Sequence, residues 1–173
     1  MRFCPQCGQP LNDQEQAGRV RRSCPDDACG FVHWDNPTPV VAAIIEHLDS
    51  AGHILLARNR AWTFEFYALI TGFLERDETP EAGVAREVME ETGLETESTD
   101  LVGVYAFPRR NEVIIVYHVR ARGEIRLNEE LSAYKLVPPE ELVPWEQGTG
   151  MGLRDWMRAR GLNVPPPVNP NPP

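Results

Sequence analysis

No apolar run in the chain approaches the ~18 residues that a membrane helix needs, and the opening Met1-Arg2-Phe3-Cys4-Pro5 offers no apolar leader stretch. Both absences favour a cytoplasmic chain without a membrane partner. Cysteine is missing beyond Cys29, so all four thiols crowd into the first segment. Positive charge is in deficit: 17 Lys plus Arg face 26 Asp plus Glu, a formal net charge of -9. Such a chain repels bulk nucleic acid unless a basic patch or bound cations compensate, and an anionic substrate would call for divalent cations. Internal repeats are absent too. What is present is enough apolar material, 42% of 173 residues, to build a core and exclude global disorder.

Composition divides the chain into residues 1–36, rich in cysteine and short polar loops, residues 37–162, and a proline-rich tail at 163–173 expected to be extended or disordered. In the middle region Val40 to Ile45 reads as a buried strand, with Ile54 to Ala57 as its hairpin partner across Asp49–Gly52. Tyr67 to Thr71 is a third short run, halted by Gly72; Leu101 to Phe107, Val113 to Val119 and Ala133 to Val137 read as further strands. Leu153, Trp156, Met157 and Arg160 have the spacing of a terminal amphipathic helix capped by Gly161. This irregular alternation predicts an α/β fold, a mixed sheet flanked by helices.

The strongest helix signal runs from Pro80 to Thr92, with Thr79 as N-cap and Gly93 as C-terminal stop. Ala82, Ala85, Val88 and Met89 follow the rhythm of a core-facing stripe. Opposite lie Arg86, Glu87, Glu90 and Glu91, where the three carboxylates repel one another by a few tenths of a kcal/mol per pair. A solvated acidic face is the commoner origin of such a cluster; convergence on hard divalent cations is the functional one. The wider spacing decides between them. Gly72, five residues, Glu78, seven residues, then Arg86-Glu87-Val88-Met89-Glu90-Glu91-Thr92-Gly93-Leu94 resembles the Nudix box at every specified position. Seven fixed residues make a chance match on the order of one in a million.

The resemblance implies a Nudix α/β/α sandwich, and hydrolysis of a diphosphate bond by a water that Mg²⁺ or Mn²⁺ activates. It implies Glu87, Glu90 and Glu91 as metal ligands, with one of them able to serve as base, and Arg86 to orient them. Glu78 supports the metal shell or the helix, and the Gly72 carbonyl joins the site. Relatives recruit a further glutamate from a downstream loop; Glu130 is the candidate here and Glu129 the second, against the simpler reading of both as surface residues.

Cys4-x2-Cys7-Gly8 followed by Cys24-x4-Cys29-Gly30 has the spacing of a small zinc ribbon, the four-residue gap in the second pair being the less usual feature. Disulfides or free thiols are the alternatives, and a cytoplasmic chain disfavours the first. Zn²⁺ would supply the folding energy that so short a segment lacks. His33 is a substitute ligand or, more simply, structural. Through Trp34 the arginines and acidic residues balance, so no basic stripe marks a nucleic-acid surface.

A ribbon before a Nudix box, joined by Cys29-Gly30-Phe31-Val32-His33-Trp34-Asp35-Asn36-Pro37, is similar to the NADH pyrophosphatases and to a related group acting on ADP-ribose and FAD. The former carry an S-Q-P-W-P-F-P-x-S element, of which Tyr105-Ala106-Phe107-Pro108-Arg109-Arg110-Asn111 keeps only Phe-Pro; His118 falls where that group places another metal-binding glutamate. ADP-ribose or FAD is therefore the favoured substrate, with NADH or an NAD-capped RNA as the alternative and a non-catalytic nucleotide sensor as the reading of another class. Phe64, Phe66, Tyr105 and Phe107 are candidates to stack on a base or flavin, and Arg109 and Arg110 to reach a phosphate; core packing and a solvated pair are the plainer readings. The zinc-ribbon relatives imply a homodimer.

Overall fold

The computed structural model describes residues 1–169. It divides into two compact units, Met1–Pro37 and a second beginning at Thr38. In the first, β1 (Asn12–Gln16), β2 (Arg19–Ser23) and β3 (Val32–His33) form an antiparallel sheet. Its core is no more than Cys4, Leu11 and Cys24, with Cys29 and Phe31 packed against them. So little apolar burial cannot by itself offset chain entropy over 37 residues.

The second unit is built on β4 (Thr38–His47), whose residues 40 to 45 are all buried because helices cover both faces of the sheet. β8 (Glu112–Arg122) runs parallel to it over the whole length, Thr38 opposite Glu112 and His47 opposite Ala121. On its other edge β6 (Ile70–Phe73) pairs antiparallel with the first half of β4 and β5 (His53–Asn59) with the last three residues. β7 (Glu95–Phe107) and β9 (Leu131–Val137) complete the mixed sheet, each antiparallel to its neighbour. Strand alternation sorts the core into two layers. Val40, Ala42, Ile44, Ile114 and Val116 face helix α2 (Thr149–Ala159) through Leu153, Trp156 and Met157. Val41, Ala43, Ile45, Tyr117 and Val119 face helix α1 (Pro80–Thr92) through Val84 and Val88, each worth about 1.5–3 kcal/mol of burial. This is the expected α/β/α sandwich.

Two expectations need correction. Gly72 does not halt the third run: β6 continues through it to Phe73. The buried stripe of α1 is Gly83, Val84, Val88, Glu91 and Thr92, while Ala82 and Met89 are exposed. The helix is rotated from the simplest apolar reading because a carboxylate and a threonine occupy interior positions. Through residue 169 the proline-rich segment is extended, and Val168 bridges Trp145, its amide donating to the Pro144 carbonyl at 3.0 Å and its carbonyl accepting from Glu146 N at 3.2 Å. Residues 170–173 of that segment lie outside the described residues.

Candidate active site and thiol cluster

Helix α1 starts and stops by local chemistry. Thr79, in extended conformation, accepts from the Ala82 amide at 3.2 Å, a cap worth about 1 kcal/mol, with Pro80 behind it. Gly93 at φ 71° returns its amide to the Met89 carbonyl. Between these caps the arginine of the helix organises everything acidic around it. Arg86 Nε donates to Glu78 Oε1 at 2.9 Å and Nη2 to Glu78 Oε2 at 3.0 Å. Nη1 donates to Glu87 Oε1 at 2.8 Å and to Glu90 Oε2 at 3.1 Å, and Nη2 also reaches the Phe73 carbonyl at 3.1 Å. Only a planar guanidinium can serve three carboxylates and a carbonyl at once. These bonds hold the Glu78 carboxyl down at about 2, helped by the Glu75 amide, which donates to it at 2.9 Å.

Glu91 has no share in this neutralisation. Its carboxylate is buried and takes part in no hydrogen bond or ion pair among the described residues. Burial first, then the charges of Glu87, Glu130 and Glu90, push it up to about 8. Glu130, on the loop before β9, is near enough for its charge to bear on Glu91, whereas Glu129 contributes its carbonyl to Arg60. Gly72 meets the cluster from the strand side: a Cβ there would lie 1.8 Å from Glu87 Cδ. Glu87 and Glu90 each keep one oxygen outside the Arg86 bonds. Four carboxylates, one of them buried without a cation, suit a hard divalent ion. Among the described residues, the four thiols described below are the one group of three or more His, Cys, Asp or Glu side chains found placed to hold a metal ion.

On the opposite face of the sheet, a cavity of about 400 Å³ opens beside Thr71, the neighbour of Gly72. Phe64, Phe66 and Phe107 line it, as do Arg109 and Arg110. Sequence reading missed Trp62 and Trp145, which also line it. Trp62 stacks on Phe64 with ring centroids 5.9 Å apart, and Phe66 meets Trp145 edge to face at 5.3 Å. The alternation Trp62, Phe64, Phe66 was a usable signal; Trp145, distant in sequence, carried none. Tyr105 is not in this wall. Its hydroxyl donates to Asp155 Oδ2 at 3.1 Å, and burial together with that carboxylate pushes it up to about 12. His118 is also elsewhere than a metal position beside α1 would require. It is buried on the α2 face, 2.7 Å from Glu46 Oε2 and against Trp156, and burial together with the charge of Arg160 pushes it down.

In the first unit the four thiols converge. Cys4 and Cys29 Sγ atoms are 3.6 Å apart, Cys7 and Cys24 are 3.4 Å apart, and all four lie within 4.8 Å of one another with no disulfide. Zinc–sulfur bonds of about 2.3 Å in a tetrahedron place sulfurs ~3.8 Å apart, so the cluster fits a metal ion and could hold zinc. Gly8 and Gly30, at φ 77° and 65°, close the two turns. His33 lies in β3 outside the cluster. The nearby arginines are engaged locally: Arg21 donates to the Trp34 carbonyl at 2.6 Å and stacks on its ring, and Arg22 pairs with Asp13.

Known proteins bear on both units. The NAD-capped RNA hydrolase NudC of Stutzerimonas stutzeri (strain A1501) is 30% identical over 173 residues, 98% of this chain and 60% of that protein. The chain thus spans about 60% of the length of the curated NudC relatives it matches. A MutT-like protein of Streptomyces ambofaciens is 44% identical over 106 residues, 59% of this chain and 64% of its own. Among solved structures, a NUDIX hydrolase from Nitrosomonas europaea superposes with a TM-score of 0.77 at 26% identity, covering 95% of this chain and 97% of the other. No helix among the described residues is long and apolar enough to cross a membrane. Residues 37–158 match the family model described as NUDIX domain, and with the sandwich and the glutamate helix in place the chain belongs to the NUDIX-domain family.

Proposed function

We propose that the chain hydrolyses the diphosphate bond of a nucleoside diphosphate joined to a second moiety, ADP-ribose or FAD in the first place. One observation carries the reading: Glu91 is buried among Glu87, Glu90 and Glu130 with no cation from the protein beside it. Mg²⁺ or Mn²⁺ held by Glu87, Glu90 and Glu91, with the Gly72 carbonyl, would neutralise the diphosphate and acidify a bound water. Arg86 keeps Glu87 and Glu90 at fixed places, and Glu78 anchors Arg86 to the loop before the helix. Glu130 adds a fourth carboxylate from outside the helix, able to take the proton of an attacking water. Thr71 and Gly72 face opposite sides of β6, and β6 pairs only with β4 among the described residues. A substrate wrapping its free edge would bring its base against Trp62, Phe64 and Phe66 and its diphosphate to the glutamates.

The four thiols support Zn²⁺ with a structural role, and a reducing, cytoplasmic setting suits them as unpaired thiols. A homodimer completes the reading, as the resemblance to zinc-ribbon relatives implies; light scattering reports it.

A second reading has its own support: relatives aligned to 98% of this chain are named NAD-capped RNA hydrolases. Against it, Phe107-Pro108 is all that remains of the NADH-associated element. The test is cleavage of equimolar ADP-ribose, FAD, NADH and an NAD-capped oligonucleotide with Mg²⁺ or Mn²⁺, products separated by chromatography. Preferred loss of ADP-ribose or FAD supports the first reading, and preferred loss of NADH or the cap replaces it with the second. No cleavage of any of them by wild type would favour a sensor, which Glu90→Gln would weaken in ligand affinity alone.

A further inference from the structure

We propose that Arg60 is a positioning residue of this site, bracing the Glu129–Leu131 turn so that the Glu130 carboxylate stands fixed against Glu91. The inference rests on the metal-dependent hydrolase reading above and adds a residue that the Nudix box does not contain.

Arg60 follows β5 directly, where pairing with β9 becomes irregular: Arg58 faces Ala133 but Asn59 faces Leu131, leaving Ser132 as an extra residue. Ser132 Oγ closes the bulge by donating to the Arg58 carbonyl at 3.2 Å. Just past it, Arg60 grips three successive carbonyls. Its backbone amide donates to Glu130 O at 2.7 Å, its Nε to Glu129 O at 2.8 Å and its Nη2 to Leu131 O at 3.1 Å.

From the other side, the same loop is tied to the end of α1. The Arg126 amide donates to the Thr92 carbonyl at 2.8 Å and the Asn128 amide to the Glu91 carbonyl at 3.2 Å, satisfying acceptors that the helix leaves open. Asn128 Oδ1 then accepts from the Glu130 amide at 3.0 Å. Both backbone polar groups of Glu130 are thereby committed, one toward the helix and one toward Arg60.

The use of charge here is informative. An arginine beside Glu129 and Glu130 would ordinarily pair with one of them, yet among the described residues Arg60 takes part in no ion pair. Its guanidinium is directed at main-chain oxygens, so the carboxylate of Glu130 is left without a counter-ion and its charge bears on Glu91. Nε and Nη2 reach two carbonyls two residues apart, which a lysine ammonium, a single compact donor group, does not reproduce.

A double-mutant cycle tests this, with kcat and KM measured on whichever of ADP-ribose, FAD, NADH and the NAD-capped oligonucleotide the wild type cleaves best. Arg60→Ala is expected to lower kcat about tenfold with KM unchanged, since misplacing one catalytic group by about an ångström costs that order or more. Arg60→Lys should fall with it, and should carry the cycle if the alanine variant does not fold. Glu130→Gln should lower kcat by itself, and adding Arg60→Ala to it should change kcat less than about twofold, because nothing remains to be positioned. Full multiplication of the two losses, wild-type kcat in Glu130→Gln, or wild-type turnover in Arg60→Lys would each overturn the proposal while leaving the hydrolase reading intact. If the wild type cleaves none of the four compounds, the hydrolase reading fails and the positioning role falls with it.

Discussion

The carboxylate of Glu87 occupies the space where a side chain on Gly72 would begin: a Cβ built there lies 1.8 Å from Glu87 Cδ and 1.9 Å from Oε1. The clash is with a side chain rather than a backbone, so Gly72→Ala should fold, moving Glu87 off the strand and out of its bond with Arg86. Turnover is expected to fall about 100-fold or more, while the melting temperature moves by only a few degrees. Kinetics beside a thermal melt checks this; retained turnover would mean that Glu87 does not need its seat on the strand.

Arg86 makes five hydrogen bonds, to Glu78, Glu87, Glu90 and Phe73. Arg86→Lys keeps the charge and loses the fork, so it should behave almost as badly as Arg86→Ala. Both should lower kcat by about 100-fold or more through disordered glutamates. A lysine variant near wild-type activity would show that charge alone matters.

Acid should loosen the loop before the helix. Glu78 is held at about 2 by Arg86 and the Glu75 amide, below the usual carboxylate value of about 4.3. A carboxyl whose pKa is lowered by folding stabilises the fold fully above its unfolded value, and that contribution fades as pH falls from about 4 through about 2. Wild type should therefore lose stability over that window more steeply than Glu78→Gln, as read by denaturant midpoints at a series of pH values. Equal slopes in both would show that the pair with Arg86 does not contribute.

An aromatic wall that holds a base predicts a binding defect. Trp62→Ala removes one of the stacked rings lining the cavity without touching the glutamates. Losing one stacking surface is worth about 1–3 kcal/mol, or about 5–150-fold, and should fall on KM with kcat nearly kept. A fall in kcat alone would place the base elsewhere.

Much of this site could be read in the chain before the fold was known, because its signals are local. Thr79, Pro80 and Gly93 bound the helix by their own backbone preferences, and Arg86, Glu87, Glu90 and Glu91 lie within it. The helix face was less legible. Hydrophobicity assigned Met89 to the core, yet Met89 is exposed and Glu91 and Thr92 occupy interior positions, Thr92 with its hydroxyl bonded to the Val88 carbonyl, a placement that hydropathy alone does not reveal. Gly72 read as a strand ending because glycine usually weakens strands; its actual use is close approach by Glu87. Trp145 and Arg60 gave no warning, one meeting Phe66 across a long sequence separation and the other bonding only main-chain oxygens, which residue type does not reveal.

The thiol cluster makes the last prediction. Cys4, Leu11 and Cys24 are too small a core to hold Met1–Pro37 alone, so the metal–thiolate bonds should supply most of its folding energy. The thiols are not equally ready for it. Burial pushes Cys24 up to about 12, against the pull of the Asp26 amide; burial also raises Cys4, but hydrogen bonds from the Cys7 and Gln6 amides and the Cys7 and Cys29 thiols together bring it down to about 7. A bound divalent ion must expel the remaining protons, so affinity should weaken as pH falls. Purified protein should contain about one zinc per chain by elemental analysis. A strong chelator at low pH should remove it and abolish amide-exchange protection across β1 to β3, with α1 and β4 still protected. Protection of β1 to β3 that survives metal removal would show that this unit folds without the ion, leaving the thiols to some other purpose.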